Sequence, residues 1–354
     1  MESGGSMKRT NSNESPSVLV HKRQRVVLEE FPDHSIPPGY QPTQNLTESA
    51  SSSTISSLPI SNLDEPICNK SNVKRDNQQI DEPYVSDIFL YLRMMEIEEK
   101  RKPAMDYIEK VQRYITTNMR GTLVDWLVEV ADEYKLLSET LHLAVSYIDR
   151  FLSIHSVIRS KLQLLGVSAL LIASKYEETN PPKAIDFCQI TNHTYELHEV
   201  LEMEAKILKS LNYEMGNPNV ITFLRRFVVI ASDNRKTSNL QFEYLCNYLA
   251  DLSLLDYECL QFKPSTVAAS VIFLAKFIVR PRVNPWTLYL YDSLEYGSDD
   301  LEDCVIILHG LYLSRRAASL KAVRDKYKKK KFKCVANLPS RPELPERYFE
   351  EVHV

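Results

Sequence analysis

Residues 247–277, NYLADLSLLDYECLQFKPSTVAASVIFLAKF, lie over residues 146–176, SYIDRFLSIHSVIRSKLQLLGVSALLIASKY, without a gap. Tyr147 meets Tyr248 and Lys175 meets Lys276. Ser168-Ala169 meets Ala269-Ser270, and Leu170-Leu171 meets Val271-Ile272. Few residues are identical, but size and polarity agree along the length. The stretch 160–178 is apolar nearly all round and carries Gly166, Ser168, Ala169 and Ala173, small residues that admit close neighbours. That is the pattern of a helix at the centre of others. A repeated central helix implies two similar bundles of about five helices each.

The remaining helices follow from periodicity. Residues 82–100 carry an apolar stripe at Val85, Ile88, Phe89 and Leu92. A helix over about 119–135 would start after Asn118 as N-cap. Residues 138–154 open on Ser138 with a loose capping box. Pro181-Pro182 starts a short helix, residues 194–211 form a long one, and GNPN at 216–219 is a break. With only 8 glycines in 354 residues, sheet-rich folds and phosphate-cradling loops are disfavoured. Residues 1–80 differ: they are rich in Ser, Asn and Pro, and their only aromatics are Phe31 and Tyr40. They cannot bury enough apolar surface to offset ordering, so a disordered tail is expected. The division that follows is a tail at 1–80, bundles at 81–215 and 216–325, and a basic extension at 326–354.

Chemistry is mostly excluded. There is no HExxH, GxSxG, GxGxxG or P-loop pattern. The six cysteines are scattered without metal-ligand spacing and read as reduced thiols, so neither metal nor cofactor is expected. No apolar run is long enough to span a bilayer, and no signal peptide is recognisable. A formal net charge of −4 gives no general attraction to nucleic acid. The run KYKKKKFK at 326–333 reads as a solvated tail or localisation signal.

Charges in apolar surroundings stand out instead. Arg120 heads the stripe Leu123, Leu127, Val130, Tyr134. Either it snorkels to solvent from the first turn, or it is buried and needs a carboxylate. Asp149, bordering the face Leu141, Val145, Ile148, Leu152, is the candidate partner. Glu204 lies amid Leu197, Val200, Leu201, Leu208 and Leu211, and Lys175 closes the first central helix. Their bland readings are a stripe-edge residue and a cation favoured by a helix C-terminus. A second stripe, Met119, Thr122, Trp126 and Glu129, is either a wide core or a shallow groove with an acidic rim.

MRGTLVDWLVEV, LHLAVSYIDRFLS, KLQLLGVSALLIASKYEE and the Pro181-Pro182 pair resemble the cyclin box of an A-type cyclin, in particular the plant A-type cyclins of the third subgroup. The resemblance spans about residues 82–325 and is densest over 117–213. It implies an all-α chain of two tandem five-helix cyclin folds, with a leading helix and a disordered N-terminal tail. It implies a buried ion pair between Arg120 and Asp149. It implies kinase-binding roles for Lys175 and Glu204, with Tyr176, Glu178, Tyr213, Ile88 and Tyr91 on the same surface. Met119, Trp126, Glu129, Leu162 and Gln163, with Thr122, match a docking groove for Arg-x-Leu substrates or inhibitors. Gly121 and Thr122 depart from the usual alanine and aliphatic residue. Arg25 to Leu28 fits an RxxL degradation signal read by the mitotic ubiquitin ligase.

The function implied is a non-catalytic subunit that binds and activates a cyclin-dependent Ser/Thr kinase in cell-cycle control. Nucleus is the expected location, with cytoplasm second, and no nucleic acid or membrane partner is expected. The rival is a nucleic-acid-binding transcription factor of cyclin fold, with residues 326–333 as its basic footprint.

Overall fold

The computed structural model describes residues 82–232 and 240–350. Among these residues every regular element is helical. A leading helix α1 (Glu82–Ile97) and a short α2 (Tyr107–Lys110) precede a first bundle of α3 (Thr117–Glu133), α4 (Ser138–Leu152), α5 (Arg159–Glu177), α6 (Ala184–Ile190) and α7 (Leu197–Ser210). A second bundle holds α8 (Val220–Ala231), α9 (Leu240–Ser253), α10 (Pro264–Val279), α11 (Leu288–Leu294) and α12 (Glu302–Tyr312), followed by α13 (Ala322–Tyr327).

The repeat is the core plan. Helices α5 and α10 are the centres, and the matched pairs Tyr147/Tyr248 and Leu170/Val271 are all fully buried. Close packing here needs small residues. A Cβ on Gly166 would stand 2.8 Å from Leu123 Cδ1, so this glycine lets α3 lie directly on α5.

Helix starts are capped from outside more often than the local sequence predicts. For α3 the N-cap is Thr116, not Asn118; its hydroxyl accepts from Met119 N at 3.3 Å. Ser138 does not cap α4. Instead Glu178, just past α5, accepts from Leu137 N at 2.7 Å and from Thr140 Oγ1 at 2.6 Å. Glu96 of α1 does the same for α10, accepting from Ser265 N at 3.0 Å and its hydroxyl at 2.6 Å. A carboxylate at a helix N-terminus satisfies open amides and meets the positive end of the dipole. The Glu178 and Glu96 caps also tie two elements together.

The basic run is not a solvated tail. Tyr327, Val335, Tyr348 and Phe349 are buried, and the segment after α12 returns to the first bundle. Lys321 N and Ala322 N donate to Asp125 of α3 at 3.2 and 2.9 Å, while Lys329 and Lys331 pair with Asp132. At the bundle interface Asp251 of α9, 0% exposed, meets Lys326 Nζ at 2.8 Å, Tyr327 Oη at 3.0 Å and His142 Nε2 of α4 at 3.3 Å. Burial works against its charge, but Lys326 and His142 outweigh that and hold its carboxyl down at about 2.

Candidate kinase-binding surface and docking groove

Arg120 is buried, at 1% exposure. Its Nε and Nη2 donate to the two carboxylate oxygens of Asp149, each at 2.7 Å. Tyr107 Oη donates to the same carboxylate at 2.8 Å, and burial followed by the Asp149 charge pushes the Tyr107 phenol up. Arg120 Nη1 donates to the Leu254 carbonyl at 2.7 Å, in the second bundle. One guanidinium therefore joins α3, α4 and the turn after α9. Gly121 belongs to this junction: a Cβ there would stand 3.0 Å from Leu320 Cδ1 and 3.3 Å from the Leu255 carbonyl. A side chain at position 121 would crowd this junction.

Lys175 and Glu204 come together on the surface. Lys175 Nζ donates to Glu204 Oε1 at 2.7 Å, with side-chain exposures of 48% and 13%. Beside Lys175, Tyr176 is exposed, and its hydroxyl would lie 2.7 Å from a Cβ on Gly216. That places it near the turn that presents Tyr213, 65% exposed at φ 58°. Lys100, shortly after α1, pairs with Glu214 at 2.7 Å, and Asn217 Nδ2 donates to the Arg101 carbonyl at 2.7 Å. The end of α1 thus joins the same region. Helix α1 is held to the second bundle by Phe89 against Phe223 and Phe227, each at 5.8 Å, and by Arg93 on Tyr296 Oη at 2.6 Å. Ile88 and Tyr91 are left outward, both more than half exposed. Glu178 differs from the others: its hydrogen bonds serve the start of α4, inside the bundle.

The second stripe is more covered than a groove floor would be. Met119, Trp126 and Leu162 are 4%, 8% and 2% exposed, Thr122 and Gln163 half-buried, and Glu129 exposed. Thr122 Oγ1 donates to the Asn118 carbonyl at 2.9 Å, so its hydroxyl is satisfied within the helix. Asp125 and Asp132 lie seven apart on the adjacent sector of α3. They are the anchors of the returning C-terminal segment. Burial pushes Asp125 up to about 6, against the pull of the two backbone donors. Arg25 and Leu28 lie outside the described residues.

Two tandem all-helical bundles, each wound round a central helix, make the double cyclin fold. Comparison with known proteins agrees. The N-terminal cyclin domain family matches residues 87–216 and the C-terminal cyclin domain family matches 218–341. The chain belongs to the cyclin family. Cyclin-A3-2 of Arabidopsis thaliana is 53% identical over 300 residues, covering 85% of this chain and 81% of the relative. G2/mitotic-specific cyclin C13-1 of Daucus carota is 57% identical over 279 residues, covering 79% and 82%. The similarity is thus to plant A-type cyclins of the third subgroup, as the motifs indicated. In fold, the chain is similar to a viral cyclin from herpesvirus saimiri, with a TM-score of 0.56 at 18% identity over 64% of this chain and 96% of that one.

Proposed function

We propose that this chain is a regulatory subunit that binds and activates a cyclin-dependent Ser/Thr kinase in cell-cycle control and helps recruit its substrates. The observation that carries it is the Lys175–Glu204 pair, set among the exposed Tyr176 and Tyr213 in a cyclin first box. Charges at the end of the apolar α5 and among the leucines of α7 make sense when another protein completes the surface they share. Activation would act by population shift: this surface binds the kinase's active arrangement more tightly than its inactive one. The chain supplies no catalysis of its own in this reading. Glu178 is read as structural.

Docking of Arg-x-Leu segments is assigned to the α3–α5 surface, with Glu129 on the peptide cation and Met119, Trp126 and Leu162 beneath its leucine. Recognition of Arg25 to Leu28 by the mitotic ubiquitin ligase and a nuclear location belong to the same proposal. The family match favours this reading over a nucleic-acid-binding factor. The experiment is reconstitution of the purified chain with a cyclin-dependent kinase, followed by phosphate transfer to a peptide substrate. The wild type should raise kinase activity by orders of magnitude. A Lys175→Ala/Glu204→Ala chain that activates equally well would refute the surface assignment.

A further inference from the structure

Residues 321–333 carry eight lysines and arginines against one aspartate, in a chain of net charge −4. Buried Tyr327 and Val335 hold this segment in place, yet Lys328, Lys329, Lys330, Lys331 and Lys333 all stay exposed. Lys333 and Cys334 are both left-handed, at φ 56° and 52°, so the turn that presents the lysines is specific in shape. Carboxylates offset part of the charge: Lys326 meets Asp251, Lys328 meets Asp325, and Lys329 and Lys331 share Asp132. The array remains cationic after these pairings. A free tail would let like charges spread, whereas the folded turn keeps them close and mutually repelling.

Its position indicates the partner. Asp132, which anchors Lys329 and Lys331, is three residues past Glu129 on α3. Asp125, which anchors the start of α13, is three residues past Thr122. The lysines therefore stand beyond the Glu129 end of the docking stripe, away from Met119. A surface that sets the exposed Glu129 carboxylate near a net cationic lysine array carries both signs, as does a ligand with a cation and an acidic stretch. A nucleic-acid backbone, negative throughout, would meet Glu129 as well as the lysines.

We propose that this lysine array extends the docking groove and binds acidic or phosphorylated residues on the N-terminal side of a docked Arg-x-Leu element. The inference rests on the docking reading of α3. With the arginine at Glu129 and the leucine at Trp126, the preceding peptide leads off past Asp132. At about 3.3 Å per residue, two to five residues span one to three turns of helix, each about 5.4 Å.

The test measures binding of fluorescent peptides to the full chain. One carries Arg-x-Leu alone, one adds acidic or phosphoserine residues before the arginine, and one places the same residues after the leucine. Acids before the arginine should tighten Kd about tenfold at low salt, with the gain shrinking at high ionic strength. Lys330→Gln/Lys333→Gln should remove that gain and leave the plain peptide unaffected, with Lys329 and Lys331 still on Asp132. Equal affinity of the plain and acidic peptides, or an equal gain from acids after the leucine, overturns the proposal. So does a gain that survives the double variant. An oligonucleotide bound as tightly as the acidic peptide, and weakened by the same variant, would assign the surface to nucleic acid instead. If the plain peptide does not bind, the docking reading itself fails. An acidic peptide that then binds without Arg-x-Leu, or fails to bind, overturns the extension too.

Discussion

Arg120 and Asp149 form a bidentate pair, two hydrogen bonds of 2.7 Å between side chains 1% and 2% exposed, 29 residues apart in the chain. The guanidinium fork matches a carboxylate as an ammonium cannot. Tyr107 also donates to the carboxylate and Arg120 Nη1 donates to the Leu254 carbonyl, so each guanidinium nitrogen and each carboxylate oxygen has a partner. Arg120→Ala strands a buried carboxylate and should cost about 3–5 kcal/mol. Arg120→Lys should recover only part of that. Chemical denaturation reads both, and a midpoint equal to wild type would show that the pair contributes nothing.

Lys175 and Glu204 present the opposite case. Their pair is solvated on one side, so its worth to the fold is about 0–1 kcal/mol. Exchanging them, Lys175→Glu with Glu204→Lys, should keep the melting temperature within a few degrees. It should abolish kinase activation, because the kinase would meet each charge in the wrong place. Activation that survives the exchange would mean that only the pair, and not the partner, needs those charges.

At 8% exposure Trp126 supports the core as well as the groove. Trp126→Ala should therefore cost about 3–5 kcal/mol and confuse any docking assay. Glu129→Lys is the cleaner probe, since it changes an exposed rim residue. It should weaken phosphorylation of substrates bearing Arg-x-Leu and leave short phosphorylation-site peptides unaffected. Equal slowing of both substrate types would remove Glu129 from docking.

Asp125 predicts a pH dependence. Its folded value of about 6 stands above its ordinary 3.8, so between those values the folded chain holds the proton more tightly than the unfolded one. Stability from this group is then highest below about pH 4 and falls as pH rises through 6. Asp125→Asn removes the charge and keeps an acceptor for the backbone amides of Lys321 and Ala322. The variant should match wild type near pH 4 and melt higher above pH 6. A variant less stable than wild type at pH 7 would show that the two amides need the full carboxylate.

Much of this architecture was legible in the chain. The apolar repeat marked α5 and α10 as bundle centres, and the stripes of α3 and α4 marked their buried faces, whereas Ile88 of the α1 stripe and Leu197 and Leu201 of the α7 stripe are exposed. Periodicity records which side of a helix avoids water, because that depends on spacing alone. Arg120 stood out because it breaks such a stripe, and the cyclin motifs named Asp149 as its partner.

What periodicity does not carry is the identity of a distant partner. The Leu254 carbonyl is 134 residues from Arg120, and Lys321 is 196 residues from Asp125. The resemblance placed Glu178 on the kinase-binding surface, and it accepts hydrogen bonds from the start of α4; residues 326–333 read as a solvated tail, and Lys329 and Lys331 pair with Asp132. A lone charge on a helix reads the same in sequence whether it faces water or a helix end. Only the tertiary structure brings the opposite charge or the open amide within hydrogen-bond reach, and where the pair is buried, as at Arg120 and Asp251, the low dielectric makes the pairing obligatory. The helices of the first bundle, the repeated central helix and the family were thus legible in the sequence alone. The closing of two bundles into one body, through Arg120, Asp125, Asp132 and Asp251, was decided by the packing.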